Sequence, residues 1–132
     1  MDLARRGIDA YTQGELEAAL ELLSPEIKVY SPPGTVNAGT YRGIDGFLDW
    51  TGRWNEAWER FEREIQAIEA VGDRHAIAVV NQRGVGRGSG VEVEQVAAYV
   101  FELDAKGQAS YFALYNDVEE AFAATRGREG IA

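Results

Sequence analysis

Apolar positions recur at helical spacing through the first third of the chain and at alternate positions through most of the rest. Leu3, Ile8 and Tyr11 fit one face of a helix, and Gly14 offers its stop. Leu16, Ala19, Leu20 and Leu23 line a second short helix, ended by Ser24-Pro25. Ile27 and Val29, running on to Tyr30, predict a short strand that Ser31-Pro32-Pro33-Gly34 breaks. The longest helix runs from Ile44 to about Arg60. Phe47, Trp50, Thr51, Trp54 and Trp58 share its apolar face, and Asp45 sits in its first turn, where the helix dipole favours an acid.

Beyond that helix the period falls from 3.6 to 2. Phe61–Val71, His75 to about Arg87, Val91–Leu103 and Ala109–Tyr115 each read as strands. Gly72-Asp73, Gly88-Ser89-Gly90 and Ala105-Lys106-Gly107 turn the chain between them, so the four strands form consecutive antiparallel hairpins. A last helix runs from Val118 to about Thr125. Helices first and an antiparallel sheet afterwards define an α+β domain. Strands this long curl, and a sheet curled around the tryptophan-bearing helix makes a cone with room inside. Residues 1–125 are expected to form this one domain, and 126–132 a flexible tail.

Composition narrows the chemistry. The chain has 132 residues, enough for one domain with a sizeable core. It has no cysteine, which removes disulfides, thiolate metal sites and a cysteine nucleophile. Its one histidine, His75, follows the Gly72-Asp73-Arg74 turn and is expected at the surface, away from catalysis. Acids outnumber bases 22 to 13, a net charge of −9, so nucleic acid and anionic membranes make poor partners. The N-terminus has no signal-peptide pattern, and no apolar run approaches the roughly 20 residues of a membrane helix. The expectation is a cytoplasmic protein with no metal and no cofactor.

The order helix, helix, short strand, then Tyr41-Arg42-Gly43-Ile44-Asp45-Gly46 leading into a long helix, four antiparallel strands and a closing Tyr115-Asn116-Asp117 resembles the nuclear transport factor 2-like superfamily. The hairpin Arg83-Gly84-Val85-Gly86-Arg87-Gly88-Ser89-Gly90-Val91-Glu92-Val93-Glu94 resembles that of its SnoaL-like, polyketide cyclase-type branch. The resemblance covers residues 2 to 124. It implies a cone closed by the N-terminal helices, and activities from isomerase, cyclase or epoxide hydrolase to pure binding. The steroid isomerases of this superfamily place an aspartate base before a Pro-x-Gly turn; Ser31 stands there in this chain. Their tyrosine donor falls on Gly7 and their protonated aspartate on Tyr99, so chemistry of that kind is not expected.

Tyr99 remains the candidate for polarising a carbonyl or an oxyanion, beside the alternative of a core tyrosine bonded to a neighbour. If the family register holds, Gln95, Ala97, Tyr99 and Phe101 point into the cone. Phe47, Trp54 and Trp58 line an apolar pocket or simply pack the helix on the sheet, with Trp50 nearer the mouth or a dimer contact. Tyr30, Tyr111 and Tyr115 are expected to face inward near strand ends, Phe112 and Leu114 outward. Gln82 enters the cavity if the hairpin turn has two residues; Asn81 and Arg83 do so if it has three. Glycine at alternate positions from Gly84 bares one strand face for bending or close approach, rather than marking a phosphate loop. Arg83 and Arg87 would pair with Glu92 or Glu94 across the hairpin, and Glu94 is the carboxylate nearest a role. The expected ligand is a small hydrophobic molecule, and apolar residues on both sheet faces point to a homodimer through the outer one.

Overall fold

The computed structural model describes residues 6, 7, 9, 10, 13, 15–35 and 37–130. Leu3, Ile8, Tyr11 and Gly14, which carry the first predicted helix, lie outside the described residues, although Arg6, Gly7, Asp9 and Ala10 are helical. The elements are α1 (Leu16–Leu20), β1 (Leu23–Ser31), β2 (Gly39–Arg42), α2 (Gly43–Glu56), β3 (Trp58–Val71), β4 (His75–Gly86), β5 (Glu92–Leu103), β6 (Ala109–Tyr115) and α3 (Val118–Glu129). The described strands form one curved sheet in the order β2-β1-β6-β5-β4-β3. β3 to β6 meander antiparallel as the turn residues require, while β1 returns parallel to β6.

The sheet carries a core on each face. On the concave face, Phe47 and Trp50 of α2 pack against Ala78, Val80, Tyr99 and Phe112. Against the other face lies α3, whose Ala121 and Phe122 cover Ile77, Ala98, Val100 and Ala113. Trp50 is not at the mouth: only 2% of it is exposed, its rings meet Phe47 and Phe112, and its indole N–H donates to Ser31 Oγ at 2.6 Å. Asn37 Nδ2 donates to the Trp50 carbonyl at 3.1 Å, so this one residue fastens α2 to β1 and to the loop before β2.

Three boundaries move from expectation, each for a long-range reason. Leu23 and Ser24-Pro25 open β1 rather than ending α1; Leu23 pairs with Ala109 of β6. α2 stops at Glu56, and Trp58 is the first residue of β3, paired with Gly86. Arg87 causes this stop: its Nε donates to the Glu56 carbonyl, its Nη2 to the Trp58 carbonyl and its backbone N–H to the Ala57 carbonyl, each at 3.0 Å. Helix-end carbonyls that would lack partners are thereby satisfied from the hairpin tip. α3 runs on to Glu129 and is capped by Gly130 in the left-handed region, so residues 126–129 are helix and not tail. Ile131 and Ala132 lie outside the described residues.

The bare glycine face of β4 admits an aromatic cluster. Trp58 and Phe61 lie over Gly84, where an added Cβ would stand 2.7 Å from Trp58 Cε3 and 3.1 Å from Phe61 Cδ1. Gly84→Ala should therefore cost about 1–3 kcal/mol of overpacking. Gly52, inside α2 with nothing within 4 Å of such a Cβ, is the control. Gly52→Ala should stabilise by up to about 1 kcal/mol. Urea midpoints measure both, and equal shifts of the same sign would contradict the close approach.

Candidate functional site

Strand register decides what the concave face presents. In β4 and β5, Ala78 is opposite Tyr99, Val80 opposite Ala97, Gln82 opposite Gln95 and Gly84 opposite Val93. Opposed residues share a face. β4 and β5 are joined by Arg87–Val91, longer than a two- or three-residue turn, and the register turns Gln82 inward and Asn81 and Arg83 outward. From β3, Arg63 is opposite Gln82 and Phe61 opposite Gly84. Among these inward positions of β3, β4 and β5, Arg63 is the charged one.

These residues form a hydrogen-bonded chain. Arg63 Nε donates to the Tyr99 hydroxyl at 2.7 Å, and that hydroxyl donates to Gln82 Oε1. Tyr99 is 2% exposed and Gln82 5%. A phenol has one proton to give; here Gln82 takes it, and the oxygen accepts from a cation. The Arg63 guanidinium also lies over the Phe61 ring, 4.4 Å from its centroid. It thus bridges two aromatic groups. One is Trp54, Trp58 and Phe61, with centroids 5.1–5.6 Å apart. The other is Tyr99, Phe101, Phe112, Trp50 and Phe47, linked through neighbours at 4.7–5.8 Å. The Trp54 and Trp58 indole N–H groups are buried with no hydrogen-bond partner among the described residues.

The expected site residues are therefore divided. Tyr99, Phe47, Trp54, Phe101 and Gln82 gather on the concave face, Trp58 reaching it from β3 instead of the helix. Gln95 shares that face but stands exposed. Tyr30, Tyr111 and Tyr115 do not face inward: they pack on the opposite face with Ala113 and α3, while Phe112 and Leu114 point into the concave core. The pairing of Tyr99 with Leu114 and Phe101 with Phe112 forces this, because Tyr111 and Tyr115 have the other parity. Glu94 is exposed and accepts from Asn81 at 3.0 Å, and Arg83 pairs with Glu62 at 3.6 Å rather than with Glu92 or Glu94. Ser31, at the isomerase-base position, is 1% exposed and bonded to Trp50. The residue not foreseen is Arg63. Its signal is the alternation Phe61, Arg63, Ile65, which sets an arginine among apolar inward positions.

His75 also overturns its expectation. It is fully buried on the outer side, where Nδ1–H bonds the Glu129 carboxylate from the last turn of α3. Glu129 accepts from the Arg74 backbone N–H as well, at 3.0 Å. Glu102 Oε1 lies 3.8 Å from His75 Nε2, and Arg128 donates to Glu102 at 2.7 Å. Arg128 Cζ sits 4.8 Å from the Tyr111 ring centroid. Burial pushes the Tyr111 and Tyr115 hydroxyls above their ordinary pKa, against the opposing pull of Arg128. Among the described residues no cluster of His, Asp or Glu is arranged to hold a metal, and no helix is long and apolar enough to cross a membrane.

One curved sheet wrapped on a helix, with polar groups set into its concave wall, is the architecture of the nuclear transport factor 2-like proteins. The SnoaL-like domain matches residues 4–112, and the chain belongs to that family. Solved structures sharing the fold include a nuclear transport factor 2-like protein of Burkholderia thailandensis, 25% identical over 94% of this chain and 95% of that one, with a TM-score of 0.80. TerC, crystallised with polyporic acid, is 13% identical over 93% of this chain and 94% of its own, with a TM-score of 0.75. SalBIII, an epoxide hydrolase/cyclase-like enzyme in pyran ring formation in salinomycin, is 12% identical over 89% and 90%, with a TM-score of 0.69. For these last two the likeness is one of fold. Curated proteins yield no significant match.

The His75 hydrogen bond, with help from the Arg74 and Asp73 backbone, holds the Glu129 carboxyl below the usual glutamate range. A depressed carboxyl stabilises the fold in full above its unfolded pKa, and the contribution falls away between the two pKa values, where the unfolded chain binds the extra proton. That contribution is present at neutral pH and is lost as pH falls below about 4.3 toward the folded value. Glu129→Gln should therefore destabilise at pH 6 and converge with the wild type in acid. Chemical denaturation at both pH values checks this, and a pH-independent gap would refute it.

Proposed function

We propose that the concave face holds a small hydrophobic molecule, with the Trp54–Trp58–Phe61 cluster as its apolar wall and Tyr99 as its polar contact. The observation that carries this reading is the Arg63–Tyr99–Gln82 chain set into a face otherwise made of aromatic and aliphatic side chains. Buried polar groups in an apolar wall fix orientation in small-molecule sites. The buried indole N–H groups of Trp54 and Trp58, in the apolar wall itself, have no partner among the described residues. The chain also pairs with a second copy through the outer sheet face, where α3 leaves Tyr30, Tyr111 and Tyr115 only half-buried.

The second reading is a cofactor-free isomerase, cyclase or hydrolase, with Tyr99 polarising the substrate. The fold likeness to SalBIII favours it. Against it stands the Tyr99 proton, already given to Gln82. The alternative without turnover includes a module that serves dimerisation alone.

A panel of planar apolar compounds, screened by thermal shift, should contain members that raise the melting temperature; if none does, the pocket reading falls. Tyr99→Phe then separates the two chemical readings. A binder should lose about 1 kcal/mol of affinity, whereas an enzyme should lose turnover by a factor on the order of 10² or more. Light scattering at micromolar concentration should give twice the 14.5 kDa chain mass, and a monomer mass would remove the dimer.

A further inference from the structure

We propose that the open edge of β5 docks an extended segment of a partner protein, which joins the sheet as a strand and carries basic side chains at alternate positions. The inference does not depend on the concave-face reading. β6 pairs with β5 only from Ala98 to Leu103. The six residues Glu92–Ala97 therefore have β4 on one side and, among the described residues, no strand on the other. They span about 20 Å. Glu92 to Val96 are all exposed, the apolar Val93 and Val96 included. The other two sheet edges are blunted: β2 has four residues, and the β3 pairing carries two register shifts. Short length and bulges discourage strand addition. The β4–β5 ladder runs from His75 to Val85 without a shift, so the open stretch of β5 has neither protection.

One bond at the hairpin tip says which groups are free. The Gly86 N–H donates to the Val91 carbonyl at 2.9 Å, which makes these two a hydrogen-bonded pair. Alternation along the register then gives the main-chain groups of Val93, Gln95 and Ala97 to β4. The N–H and C=O of Glu92, Glu94 and Val96 turn to the open side. A strand laid there sets every second side chain beside Glu92, Glu94 and Val96 on the outer face, and the rest beside Val93 and Gln95. The outer face carries a cleft of about 440 Å³ at this point, lined by Glu92 and Glu94 of β5, Arg83 and Val85 of β4, and Arg60 and Glu62 of β3. Arg83 is held by Glu62 at 3.6 Å, and Arg60 stands two strands, roughly 10 Å, from β5. Glu94 accepts from the neutral Asn81 amide at 3.0 Å and keeps its charge. The charges next to the open side are thus two carboxylates, in a chain of net charge −9. Lysine or arginine opposite them is favoured, and an acidic segment, the same edge of a second copy included, is repelled. Main-chain bonds supply the affinity of such a mode and the alternating side chains its specificity.

The probes are three seven-residue peptides titrated calorimetrically into the full chain at pH 7. The first alternates lysine and valine, the second holds the same residues in two blocks, and the third alternates glutamate and valine. Wild type should bind the first at least about tenfold more tightly than either of the others. Glu92→Gln with Glu94→Gln should reduce its preference over the acidic peptide. Val96→Pro should abolish binding, since it fills the open side while leaving the bonds to β4 in place. Equal binding of the alternating and block peptides would overturn the inference, because charge alone would explain it. Binding that survives in Val96→Pro would also overturn it. So would binding of none of the three; a light-scattering mass that then falls in Val96→Pro would assign the edge to a second copy instead. The three-peptide comparison on wild type decides the matter if a variant fails to fold.

Discussion

Seating α2 in the curve of the sheet is the constraint on which the other features depend, and Trp50 meets it. Its ring fills the concave core between Phe47 and Phe112, while its indole N–H and its carbonyl are tied to Ser31 and Asn37. A large aromatic with both polar groups satisfied combines apolar burial with fixed orientation. Once that helix is seated, its C-terminal end meets the β4–β5 tip, where Arg87 captures three carbonyls and sends the chain into β3. The turn brings Trp58 over Gly84 and sets the start of β3, from which Phe61 and Arg63 take their inward places.

The fold was largely legible because its signals are local. Turn residues such as Gly72-Asp73 and Lys106-Gly107 and a change of period divide the chain into elements without reference to distant partners. The misread places depend on contacts far along the chain. Trp58 continues the helical spacing of Trp54, and Arg87, 29 residues away, ends the helix before it. Alternation sorted Tyr111, Tyr115, Phe112 and Leu114 into two sets, but only pairing with β5 says which set is inside. His75 beside a polar turn looks exposed, since its partner lies 54 residues on, in a stretch that reads as a tail.

For the site, the aromatic residues and Tyr99 were visible because large side chains at regular spacing announce a wall. What they surround was harder to read. Arg63 sits in a run, Glu62-Arg63-Glu64, that looks like a solvated charged strand, and its inward turn is a matter of parity. Gln82 was reachable only through the length of the hairpin turn. Polar side chains on concave walls are the least patterned part of a sequence, because one or two suffice and the apolar background fixes no position for them.

The burial of His75 against Glu129 also has a bearing on how the chain is made. During vectorial synthesis β4 leaves the ribosome well before the last turn of α3. Until then the imidazole must either stay in water or be buried without its carboxylate, which costs free energy. This pairing is thus missing until the last turn of α3 is translated, and a chain interrupted before Glu129 leaves His75 without that carboxylate on the outer side of the sheet.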